Sequence, residues 1–200
     1  QISVKGLDRL PRECYEVGGD INSPDALLLR SHKLGAEQIT AQIKAVARAG
    51  AGVNNIPIEA CTGRGIPVFN TPGANANAVK ELVMAGMLLA TRGILPGMAY
   101  VSTLAAMKDA DAMSALLEKE KARFAGGELK GKTLGIVGLG AIGGMVAEMA
   151  LGMGMQVVGF DPALSIDAAW RLSNEVKRME NLQSLLARAN QRGESEPVVA

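Results

Sequence analysis

Aromatic side chains are scarce: one Trp, two Tyr and three Phe in 200 residues. Any core must therefore come from Ala, Val, Leu, Ile and Met, within an apolar fraction of 48%. Histidine occurs once, at His32, and cysteine twice, at Cys14 and Cys61. Two isolated cysteines offer no metal-ligand spacing. They read as free thiols of a reducing compartment rather than as a disulfide framework. Net charge is nearly absent, with 21 basic against 20 acidic residues. Nucleic-acid binding would favour a marked basic excess, so it is not expected. No apolar run reaches the roughly 18 residues of a membrane span. The opening QISVKGLDRL lacks the apolar h-region of a secretory signal. The expectation is a cytoplasmic protein with neither membrane nor nucleic acid as partner.

What is present is an alternation of short apolar runs with helix-length segments, the pattern of an α/β fold with parallel strands. Ile2–Leu7, Ala26–Arg30, Ala45–Ala49 and Pro67–Asn70 read as strands. Ala26–Arg30 is continuously apolar up to its last residue, as a strand buried on both faces should be. Ala36–Ile43 and Ile58–Gly65 read as short helices between them. Pro57 is a good first-turn residue, and Gly63 and Gly65 are good stops. This predicts a small sheet of roughly four strands. Asn75–Arg92 has apolar residues at helical spacing. Met98–Phe124 reads helical with a polar break around Lys108–Asp111. The long helical connection marks a domain change, placed at residues 95/96. Thr133–Val137 and Gln156–Phe160 then read as strands, and Gly140–Gly152, Ala168–Leu172 and Leu182–Ala189 as helices.

The stretch KTLGIVGLGAIGGMVAEMALGMGMQVVGFDP holds the main motif. Gly138, Gly140 and Gly143 form G-x-G-x-x-G between a predicted strand and a predicted helix. Gly138 permits the tight turn. Gly140 lets a pyrophosphate approach the backbone. Gly143 lets helix and strand pack closely. The N–H groups near Ala141 and Ile142 are unpaired, and the helix dipole favours an anion there. Asp161 ends the second strand, where a carboxylate accepts from ribose hydroxyls and repels a 2′-phosphate. The motif therefore points to NAD rather than NADP.

Four ordered blocks resemble the D-isomer-specific 2-hydroxyacid dehydrogenases. They are LLLRSHKL at 27–34, RAGAGVNNIPIEACTGRGIPVFNTPGANANAVKEL at 48–82, GELKGKTLGIVGLGAIG at 127–143 and VGFDPALSIDAAWRLS at 158–173. The last block is similar to the phosphoglycerate branch in particular. The resemblance implies a flavodoxin-like substrate domain, residues 1–95, and a doubly wound (Rossmann) NAD-binding domain, residues 96–200, of which the chain carries an incomplete part. It implies NAD-dependent oxidation of D-3-phosphoglycerate to 3-phosphohydroxypyruvate, the entry to serine synthesis. It implies a small-molecule partner, a phosphorylated 2-hydroxy acid, and a homo-oligomer in the full-length form.

Carried over residue by residue, the resemblance implies that Arg30 and Ser31 lie near substrate, the Arg fork suiting phosphate or carboxylate oxygens. Ala51 and Gly52 match the loop whose N–H groups meet substrate or nicotinamide. Asn75 matches a substrate-side polar residue and equally suits a helix N-cap. Pro162, after Asp161, joins the cofactor set with Gly138, Gly140, Ala141, Ile142 and Gly143. Lys80 departs from the family pattern, although Glu81 is retained. His32 does not match the family's catalytic histidine.

The Arg, Glu and His that do the family's chemistry are implied to lie beyond residue 200, so no catalytic residue is assigned. After Ala189 the resemblance ends in Asn190 and QRGESEPVVA. The expectation is a truncated, inactive chain, with the strand Thr133–Val137 lacking its far neighbour. Two alternatives stay open: a non-catalytic dinucleotide-binding module, and another 2-hydroxyacid specificity such as glyoxylate or lactate.

Overall fold

The computed structural model describes residues 2–189 and 198–199. It divides into two compact units after Asn75, each built on its own parallel sheet.

The first unit opens with a single helical turn, α1 (Val4–Leu7). The expected strand at Ile2–Leu7 does not form. The Gly6 and Leu7 amides instead bond the Ser3 carbonyl, at 2.9 and 3.1 Å. The three strands of the sheet all lie later in the chain, so this segment satisfies its backbone locally. Next come β1 (Ala26–Leu29), β2 (Ala45–Arg48), α2 (Ile58–Gly63) and β3 (Val68–Phe69). The strands are parallel in the order β1-β2-β3, with Leu29 opposite Arg48 and Ala47 opposite Phe69. The sheet thus has three strands rather than about four.

The helix expected at Ala36–Ile43 is only a 3-10 turn, Ala36–Gln38. The Gly35 N–H donates to the Gln38 side chain at 2.8 Å, and Ile39 leaves helical geometry at ψ 87. Its β-branched side chain instead joins a buried core with Leu29, Leu34, Ile43, Val46, Ile56, Cys61 and Ile66.

The second unit begins with α3 (Ala76–Thr91), α4 (Ile94–Thr103), α5 (Ala110–Glu120) and a 3-10 turn at Lys121–Phe124. The polar break inside the helical stretch is a cap: the Ala112 N–H donates to the Asp109 carboxylate at 3.0 Å. Then follow β4 (Thr133–Val137), α6 (Ala141–Gly152), β5 (Gln156–Phe160), α7 (Ile166–Arg171), β6 (Lys177–Arg178), α8 (Leu182–Ala189) and β7 (Val198–Val199). All four strands are parallel in the order β6-β5-β4-β7. This is the 3-2-1-4 portion of a doubly wound sheet.

The strand β4 therefore does not lack its far neighbour. Val198 and Val199 pair with Leu134 and Gly135. A two-residue apolar run is too short to read as a strand alone; the β4 ladder supplies the missing information.

The helix α3 belongs with the second unit because Met87, Val83 and Leu88 pack into the core around Leu134, Ile136, Val146, Ala147, Ala150 and Val157. The contact boundary thus precedes α3, whereas the composition changes only after it. Leu185 of α8 is fully buried, and a β-carbon at Gly135 would come within 2.8 Å of its Cδ2. Burying such a leucine stabilises by roughly 1.5–3 kcal/mol. Among the described residues no single helix is long and apolar enough to cross a membrane.

Candidate functional site

The glycine turn joins β4 to α6, with three glycines in three different roles. Gly138 has φ +89, a left-handed conformation that L side chains rarely adopt. Its N–H donates to the Phe160 carbonyl at 2.8 Å, tying the turn to the end of β5. Gly140 is the N-cap residue of α6, with extended backbone and no side-chain cap. A β-carbon there would meet nothing within 4 Å, so the space above it is open. At Gly143 a β-carbon would overlap the carbonyl oxygen of Gly138. The N–H groups of Ala141, Ile142 and Gly143 form the first turn of α6, which has no intrahelical acceptor. Ala141 and Ile142 are exposed. Unpaired N–H groups and the helix dipole together suit this turn to an anion.

Asp161 follows β5 directly and is half-buried. Its Oδ2 accepts the Leu139 N–H at 2.8 Å, and its Oδ1 accepts the Ala163 N–H at 2.9 Å. One carboxylate therefore fixes both the glycine turn and the chain leaving β5. Each oxygen keeps a lone pair for a further donor. Pro162 lies exposed in the turn that follows.

Leu139 itself is buried, in a notch above Gly159, where a β-carbon would come within 2.7 Å of its Cδ1. The motif reading selects neither residue for this packing. Gly159 is visible only as one more glycine in an apolar strand.

In the first unit, Arg30, Ser31, Ala51 and Gly52 lie in the loops leaving β1 and β2, at the carboxyl edge of the sheet. Open α/β sheets bind ligands at that edge. All four are exposed. Arg48 Nε donates to the Arg30 carbonyl at 3.1 Å. Asn70 Nδ2, just past β3, donates to the Ala51 carbonyl at 2.7 Å. The Thr71 N–H donates to the Gly50 carbonyl at 2.9 Å. The three carboxyl-edge loops are thus tied to one another. Arg48, Asn70 and Asn55, whose Nδ2 donates to the Arg30 and His32 carbonyls, make the side-chain ties and escape the motif reading, because no spacing rule marks a loop-bracing side chain.

Asn75 is exposed in the turn before α3. The atypical Lys80 lies on α3, where it donates to Asn77 Oδ1 at 2.6 Å; Asn77 in turn donates to Glu81 at 2.8 Å. His32 is exposed in the loop after β1. No group of three or more metal-ligating side chains occurs among the described residues.

A parallel α/β unit with strand order 3-2-1-4 and a glycine turn after its first strand is a Rossmann-like fold. Residues 4–187 match the model of the D-isomer specific 2-hydroxyacid dehydrogenase catalytic domain. The chain belongs to that family. It is 35% identical over 193 residues to D-3-phosphoglycerate dehydrogenase of Mycobacterium tuberculosis, covering 95% of this chain and 33% of that protein. It is 38% identical over 157 residues to the Rattus norvegicus enzyme of the same name, covering 77% of this chain and 27% of that one. The chain thus spans about a third of the length of the curated relatives it matches. Among solved structures, NAD+-bound 3-phosphoglycerate dehydrogenase of Entamoeba histolytica matches with TM-score 0.57 and 31% identity, over 82% of this chain and 43% of that one. The TT0316 protein of Thermus thermophilus matches with TM-score 0.71 and 28% identity, over 93% and 59%.

Proposed function

We propose that this chain carries the NAD-binding turn and the substrate loops of an enzyme that oxidises D-3-phosphoglycerate to 3-phosphohydroxypyruvate. The observation that carries the reading is the turn at Gly138–Gly143, clamped through Leu139 by Asp161. In this reading the N–H groups of Ala141, Ile142 and Gly143 receive the pyrophosphate, and Asp161 receives ribose hydroxyls through its remaining lone pairs. Its negative charge disfavours a 2′-phosphate, so NAD is the cofactor rather than NADP. NAD supplies the acceptor for the hydride that leaves C2 of the substrate. The Arg30 guanidinium pairs with phosphate or carboxylate oxygens, and the N–H groups of Ala51 and Gly52 meet the carboxylate. Ser31, Asn75 and Pro162 complete the contact set. The phosphoglycerate relatives at 35% and 38% identity support this substrate over glyoxylate or lactate. The full-length protein is proposed to be a cytoplasmic homo-oligomer.

Oxidation also needs a base within reach of the substrate hydroxyl. The family resemblance assigns that histidine, with its Arg and Glu, to no position in these residues. The 200-residue chain alone is therefore expected to bind NADH without producing it. Two assays test this. Calorimetry with NADH and then NADPH should give heat with the first only; silence with both at about millimolar cofactor, enough to occupy any site with Kd below about millimolar, overturns the cofactor half. A chain extended to carry the family's Arg, Glu and His should make NADH with D-3-phosphoglycerate. Preference for glyoxylate or lactate would overturn the substrate assignment, and NADH binding without any turnover would leave a non-catalytic module.

A further inference from the structure

We propose that Asn55 is the positioning residue of the Arg30 loop, the group that holds its backbone so that Arg30 and Ser31 face an incoming anion. The proposal rests on the substrate reading above. Asn55 Nδ2 donates to the Arg30 carbonyl at 3.1 Å and to the His32 carbonyl at 2.6 Å. Its main-chain carbonyl accepts the Leu34 N–H at 2.9 Å. One residue therefore pins three points within the five residues after β1. Arg30 also receives Arg48 Nε on the same carbonyl oxygen. Leu34 is buried and closes the loop onto the core, while Arg30, Ser31 and His32 are exposed. Turning the two carbonyls inward leaves the two candidate side chains outside.

The chemistry of the position selects asparagine. Two carbonyl oxygens need two donors from one short side chain, and only a carboxamide supplies them. Asn55 Oδ1 is buried, with no hydrogen-bond partner among the described residues. A buried unsatisfied acceptor is unfavourable, so the donor bonds must hold the group in place. An ionised aspartate of the same shape would aim acceptors at acceptors. A protonated one could still donate to one carbonyl.

That difference makes a pH profile the test. The whole chain is prepared as wild type, Asn55→Ala and Asn55→Asp. The amide protection factor of Leu34, whose N–H bonds the Asn55 carbonyl, and the backbone shifts of Arg30–Leu34 are measured from acid to neutral pH, and D-3-phosphoglycerate is titrated by amide shifts, with inorganic phosphate as control. At neutral pH both variants should lose protection in the loop while β1 and β2 keep theirs. N55D alone should regain protection as pH falls through the carboxyl range. Affinity for D-3-phosphoglycerate should fall about tenfold, the scale of a net hydrogen bond between neutral groups, and N55D should recover part of it in acid.

Wild-type protection in both variants overturns the proposal, as does unchanged affinity in both. If wild type ignores D-3-phosphoglycerate, the substrate reading fails, and protection alone decides whether Asn55 fixes the loop. If N55A does not fold, the pH-dependent recovery of N55D decides: its presence supports the proposal and its absence overturns it.

Discussion

The Leu139 amide donates to Asp161 Oδ2 at 2.8 Å, so the residue after β5 holds the middle of the turn that follows β4. The carboxylate expected to meet a ribose is a brace of the glycine turn. Replacing Asp161 by Ala strands a part-buried N–H, and a loss of about 1–3 kcal/mol of stability is expected. Asp161→Asn keeps one acceptor and should lose less. Urea unfolding measures both. In the same variants the ratio of NADH to NADPH affinity should fall, because the charge that opposes a 2′-phosphate is gone.

Gly143→Ala and Gly140→Ala should separate folding from binding. The first places a β-carbon onto the Gly138 carbonyl oxygen, a backbone group that cannot swing away. A destabilisation of roughly 1–3 kcal/mol or more is expected, as for other core overpacking. The second meets nothing within 4 Å. Gly140→Ala should melt near the wild-type temperature and bind NADH poorly, since its methyl group occupies the approach to the backbone. Equal melting temperatures for the two variants would contradict this assignment of roles.

Gly159→Ala tests the notch beneath Leu139. Its β-carbon would come within 2.7 Å of Leu139 Cδ1. The leucine is a flexible side chain but a buried one, so a loss of about 1–3 kcal/mol is expected. Because Leu139 sits inside the turn, NADH affinity should fall with stability. Normal affinity in a destabilised Gly159→Ala chain would show that the turn tolerates the shift.

The cysteines differ in reach. Cys14 is exposed and Cys61 is buried. An aromatic disulfide reagent should modify Cys14 in the native chain and Cys61 only after unfolding. Burial pushes the Cys61 thiol above its ordinary value, with Arg64 pulling the other way. The folded state then holds this proton longer than the unfolded state. Its contribution to stability is present below the ordinary thiol range and declines as pH rises through it. A Cys61→Ala chain should lose that alkaline part of the stability profile, as read by urea midpoints across pH.

Much of this was legible in sequence where one residue type had one physical reason. The glycines at 138, 140 and 143 and the acid at 161 follow from turn geometry and charge. The strands Thr133–Val137 and Gln156–Phe160 and the helix Leu182–Ala189 form with the bounds their apolar patterns indicate. What failed depended on partners distant in sequence. Ile2–Leu7 is apolar enough for a strand but has no ladder to join. Val198–Val199 is too short for one, yet β4 pairs with it. Asn55 and Asn70 lie inside the 48–82 block but no residue pattern there singles them out, and their value lies in which carbonyls they meet. The glycine turn is local, whereas the bracing of the loops is not.

The most direct test of the account is an amide-shift map of the whole chain titrated with NADH. The account predicts the largest shifts at Gly138–Gly143 and around Phe160–Ala163, with Asp161→Ala weakening both. Saturable shifts that avoid those two segments, or no shifts at all, would contradict it.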